Sequence, residues 1–148
     1  MAAGAGAFRQ WSWIAEDLAE PRAVGDLYAS AAITREREGD LGAALAHAQR
    51  ALAEYERMGV AAHVGNMWNT IGRIYIGRKQ HARAADALGR AERIAGETDD
   101  DRLAAYVLQN RAELALARGE ADGAVALAQE SIDHRGAPKR GRALSVLV

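Results

Sequence analysis

The 148 residues predict an all-α fold, an α-solenoid of antiparallel helix pairs, and three observations carry that expectation. Small and apolar positions recur at a period of 40. Ala44, Ala84 and Ala124 align, as do Ala48, Leu88 and Ala128, and then Ala51, Ala91 and Ser131. The hydrophobic content, 49%, is mostly Ala and Leu with one Phe, and only two Pro interrupt the chain. Such a composition favours closely packed helices and disfavours strands. Upstream of each set of columns lies an amphipathic stretch: Leu27, Tyr28, Ala31 and Ala32, then Trp68, Ile71, Gly72 and Tyr75, then Leu108, Ala112 and Ala115. Spacings of i, i+3, i+4 and i+7 place each set on one helical face.

In chain order, residues 1–7 are small and Gly-rich and read as a flexible segment, and 8–148 as a single helical-repeat domain. A short helix is expected from Phe8 to Glu20, where Trp11, Trp13 and Ile14 would cap the open end of a stack. Three pairs follow, at about 26–38 with 41–57, 61–77 with 81–95, and 102–118 with 121–134. Their turns fall at Gly39-Asp40, Lys79-Gln80 and Gly119-Glu120, where Gly suits the left-handed residue that ends a helix. Asp99, Asp100 and Asp101 precede the third pair. Carboxylates there cap a helix start and favour its positive dipole end, and their spacing does not match a calcium loop. A last helix is expected from Pro138, and Ala143 to Val148 read as the first helix of a fourth unit whose apolar face predicts self-association.

Charge narrows the function. The 19 basic and 20 acidic residues give a net charge of -1 and are interspersed, which argues against a nucleic-acid surface. Cys is absent, so disulfides, thiolate metal sites and cysteine nucleophiles are excluded. The start of the chain lacks a signal-peptide pattern, and no stretch approaches the ~20 apolar residues of a membrane span. A cytoplasmic protein with no membrane partner is the expectation. His47, His63, His81 and His134 have no His partner at i+3 or i+4, so they make no metal pair.

Residues Trp68, Ile71, Gly72, Tyr75, Ala84, Leu88 and Ala91 resemble the tetratricopeptide repeat: an aromatic, an aliphatic three positions on, a small residue, a second aromatic, then small residues in the second helix. The resemblance covers roughly residues 25–134. It departs at Arg35, Arg111 and Ala115. A period of 40 exceeds the usual ~34 of the family and implies longer helices, similar to kinesin light chains and to regions of large bacterial transcription activators and signalling ATPases. Its Ala, Arg and Gly richness is closer to the bacterial group.

The resemblance implies a concave groove lined by the first helix of each pair. Mapped by register, that face carries Asp26, Ala29, Ile33, Glu36 and Arg37, then Asn66, Asn69, Arg73 and Ile76, then Tyr106, Gln109, Asn110 and Glu113. Asn and Gln amides pair with both groups of a peptide backbone, and Arg73 suits a carboxylate. The basic clamp that some members use for a terminal carboxylate is not reproduced, because the equivalent places hold Ile33, Arg73 and Glu113. The expected function is a protein or peptide interaction module, an adaptor or part of a regulator, without cofactor or catalytic residues. The alternatives are a small-molecule binder or enzyme using the groove as a pocket, and a homodimerisation unit assembled through the C-terminal end.

Overall fold

A computed structural model describes residues 21–136. The helices expected at 8–20 and from Pro138, with Trp11, Trp13, Ile14 and Ala143 to Val148, lie outside the described residues. Within them the chain forms six α-helices and no strand: α1 Pro21–Arg37, α2 Leu41–Met58, α3 Ala61–Gly77, α4 His81–Glu97, α5 Asp101–Ala117 and α6 Ala121–Gly136. The helices pack in sequential pairs, α1 on α2, α3 on α4 and α5 on α6. Further contacts join α2 to α3, α4 to α5, and α3 to α5.

Every turn contains one residue with positive φ, and these fall 20 residues apart at Gly39, Gly59, Lys79, Asp99 and Gly119. The residue after each one donates its N–H to a carbonyl five positions back, Asp40 to Arg35, Val60 to Tyr55, Gln80 to Tyr75, Asp100 to Ala95 and Glu120 to Ala115. That 6→1 bond satisfies carbonyls the helix end leaves open. The 40-residue period is therefore two 20-residue units. Lys79 and Asp99 adopt the left-handed conformation at φ 58° and 52°, which costs an L-residue roughly 1–2 kcal/mol. Asp40 and Asp100 cap the following helices, accepting from the Ala43 and Leu103 N–H groups at 3.1 and 3.0 Å.

The first helix starts at Pro21, five residues before its expected boundary. Gly25 lies inside it. A Cβ at Gly25 would approach Tyr55 Cε1 to 2.8 Å, so the absent side chain makes room for α2. Tyr55 there donates its hydroxyl to Asp26 Oδ1 at 2.6 Å. Burial first, then the carboxylate, hold that hydroxyl's proton well above the usual phenol range.

Apolar side chains fall into two clusters. One gathers Ala32, Leu45, Leu52, Met67, Ile71, Ile74 and Ala87 from α1 to α4, and the other Leu88, Ile94, Leu103, Val107 and Leu114 from α4 and α5. Val64, Trp68 and Tyr75 of α3 pack against both. Eight of the nine column residues are buried: Ala44, Ala84, Ala48, Leu88, Ala51 and Ala91 are 0% exposed and Ala124 and Ser131 3%, whereas Ala128, on the last described helix, is exposed. Ser131 closes the last pair by donating to the Ala105 carbonyl at 2.8 Å.

Candidate functional site

The face expected to bind a partner is made by α1, α3 and α5. Its residues separate into three groups. Arg73 on α3 reaches Glu36 on α1 through Nε and a terminal nitrogen, each at 2.6 Å, a bidentate charge-assisted pair. Hydrogen bonding to Glu36 raises the Arg73 pKa against the opposing effect of burial, and the Glu113 carboxylate adds to the rise. Arg73 thus has its carboxylate within the chain, and Glu113, exposed on α5, is its second acidic neighbour.

Asn69 and Asn110 form the second group. The Asn110 amide donates to Asn69 Oδ1 at 2.8 Å, and the two residues are only 7% and 5% exposed. Their amides link α3 to α5 instead of presenting themselves to solvent. Sequence position placed both on the expected groove face but carried no sign that they meet, because the pairing spans 41 residues.

Tyr106, Gln109 and Asn66 compose the third and most accessible group. Tyr106 is 40% exposed, and Asn66 and Gln109 are exposed. The Arg102 guanidinium lies 5.8 Å from the Tyr106 ring centroid and that of Arg135 5.7 Å. Arg135 also donates to Gln109 Oε1 at 2.7 Å. A cleft of about 380 Å³ lies here, lined by Asn66, Asp100, Arg102, Leu103 and Tyr106. Another, of about 570 Å³, shares Asp100 and Arg102 and runs to His134 and Arg135. Neither arginine was among the residues expected on the groove face. Arg102 was within reach of the sequence reading, since it stands one turn before Tyr106, whereas Arg135 arrives from a different helix.

The remaining expected positions stand apart. Ile33 and Ile76 are half-buried, and Ile76 packs on the second apolar cluster. Arg37 is exposed in the last turn of α1, where a cation favours the helix dipole. Asp101 lies in the first turn of α5 behind its cap Asp100. No group of three or more His, Asp or Glu among the described residues is arranged to hold a metal ion. His63 meets the Tyr55 ring edge-on at 4.8 Å, and His47 lies 5.9 Å from the Tyr28 ring. No helix of the described residues is long and apolar enough to cross a membrane. Neither a protein-family model nor a curated protein matches the chain.

Proposed function

We propose that the chain is a tetratricopeptide-type solenoid that binds a protein segment on the face of its first helices, around Tyr106 between α3 and α5. The observation that carries this reading is the exposed Tyr106 ring flanked by Arg102 and Arg135 beside an open cleft. Tyr and Arg dominate the residues that carry binding energy at protein interfaces. The repeat columns and the Trp68, Ile71, Gly72 and Tyr75 pattern support the family assignment, and the links of Glu36 to Arg73 and Asn69 to Asn110 keep the three first helices side by side. Asn66, Tyr106 and Gln109 are the residues a partner reaches. Asn69, Asn110 and Arg73 act as supports that tie the helices together.

Selection from a random-peptide display library tests this. Peptides that bind the parent chain and lose at least about tenfold in affinity to the Tyr106→Ala variant support the assignment, since a hot-spot truncation exceeds ~1.4 kcal/mol. Peptides that bind parent and variant equally would remove it.

A second reading, a homotypic assembly unit, is favoured by α6. Val125 and Ile132 occupy the register of Leu45 and Leu52, which are 9% and 8% exposed, yet they are 70% and 60% exposed themselves. Light scattering on the double variant Val125→Glu, Ile132→Glu decides it: an unchanged mass rejects assembly through this face.

A further inference from the structure

A cleft of about 490 Å³ opens between α2, α3 and α4 and shares no lining residue with the cleft at Tyr106. Its floor is apolar and fixed: Leu52, Ile71 and Ala87 are 8%, 2% and 1% exposed. Trp68 and Tyr75, half-buried and two helical turns apart on α3, supply two aromatic walls. Gln49, Ala82, Arg83 and Asp86 form an exposed rim. The charges on that rim are unequal. Asp86 is paired with Arg90 at 3.3 Å, and the Arg90 guanidinium lies 4.7 Å from the Trp68 ring centroid. Arg83 lies 6.0 Å from the Tyr75 ring and has no carboxylate partner among the described residues.

The same register one repeat later is built differently. Leu52 and Ile71 correspond to Glu92 and Arg111, 40 residues on, and those two form an ion pair between α4 and α5. Salt-bridged side chains thus stand where the first interface keeps an apolar floor beneath an unpaired cation. Packing between pairs does not require the apolar version. The volume is within the range of small-molecule sites, and an apolar lining with a single placed charge is how such sites orient a ligand.

We infer that this cleft binds a planar aromatic carboxylate, its ring between Trp68 and Tyr75 and its carboxylate on Arg83. An aromatic body matches the two rings by offset or edge contacts, and the carboxylate gives the Arg83 guanidinium the bidentate partner it lacks. A cationic ligand would meet two guanidinium groups and an acid already neutralised. An inorganic anion would satisfy Arg83 and leave the apolar floor empty.

The test is a two-dimensional NMR titration of the full chain with 2-naphthoate, following the Trp68 indole N–H, which is assigned through Trp68→Phe. The neutral 2-naphthamide and inorganic phosphate are titrated alongside. Expected is saturable one-to-one binding of naphthoate with a Kd of about 1 mM or tighter, centred on Trp68, Tyr75 and Gln49. Arg83→Gln weakens naphthoate about tenfold and leaves naphthamide unchanged. Ala82→Trp, at an exposed rim position that disturbs no buried side chain, abolishes binding of both by filling the cleft. The inference is overturned if the Trp68 signal does not saturate, if the shifts map to the Tyr106 face, if phosphate reproduces them, or if Arg83→Gln leaves naphthoate affinity unchanged.

Discussion

The interface between the first and second helix pairs and the one between the second and third are built on the same 40-residue register with different chemistry. In the first, Leu52 and Ile71 are buried against Met67, Ile74 and Ala87. In the second, the matching Glu92 and Arg111 form a half-exposed ion pair, while the apolar contact passes to Ile94, Leu103 and Val107. The polar links also differ. Arg73 and Glu36 tie α3 to α1 at the rim, whereas Asn69 and Asn110 tie α3 to α5 from inside. What is common to both interfaces is a glycine at close approach: a Cβ at Gly77 would come to 3.0 Å from Leu41 Cδ1 across the first, and one at Gly65 to 2.6 Å from Leu103 Cδ2 across the second. Backbone proximity defines the architecture, and the larger side chains around it are free to be apolar or charged.

Transplanting the second chemistry into the first interface has the largest expected effect. Ile71→Arg places an unpaired charge at a site 2% exposed and lowers stability by about 3–5 kcal/mol, read as a drop in the urea midpoint at constant slope. Adding Leu52→Glu recovers about 1–2 kcal/mol of that loss in a double-mutant cycle, and a coupling of zero would show that the two interfaces are not geometrically equivalent. Asn110→Ala comes next. It leaves the Asn69 carbonyl buried without its donor and costs about 1–3 kcal/mol, while replacing both Asn residues by Leu costs less than the single change. The smaller loss for the pair, measured by thermal unfolding, separates a polar link from a packing defect.

Arg111→Ala costs under about 1 kcal/mol, because its side chain and that of Glu92 are 42% and 50% exposed and water screens their attraction. A larger loss in guanidinium titration would give the ion pair a structural weight equal to its apolar counterparts. The smallest effect is expected from His47, between α1 and α2. Burial first, then the positive charge of Arg35, lower its pKa from 6.5, with Asp40 opposing. The unfolded chain therefore binds the proton more readily than the folded one. Stability is full above pH 6.5, declines as the pH falls through that value, and levels off once the folded form is protonated as well. In the His47→Gln variant this step disappears from the pH dependence of the melting temperature.

The comparison also separates what could be read ahead from what could not. Turns at Gly39 and Gly119 were legible because Gly stands where a helix must end, and the Asp100 cap because an acid precedes an amphipathic run. The Asp99 turn was less so, since its left-handed residue carries a Cβ. Continuity of α1 through Gly25 was not legible at all. Locally Gly reads as a break, and its cause is the Tyr55 ring 30 residues away. The candidate binding face was an expectation of the resemblance, mapped onto residues by register. Which of its residues point outward was not legible, because Asn69 and Asn110 satisfy each other and Arg73 is taken by Glu36.

The sequence by itself determined the helices, their 40-residue alternation and the small columns that let them approach, since propensity, turn chemistry and periodicity are properties of neighbouring residues. Tertiary structure alone decided which polar side chains are consumed by packing and which remain for a ligand. Arg135 reaches Tyr106 from another helix, and Trp68, Leu52 and Ala87 meet at one cleft from three. Such encounters join positions far apart in the chain, and only the docking of one helix pair on the next brings them within reach.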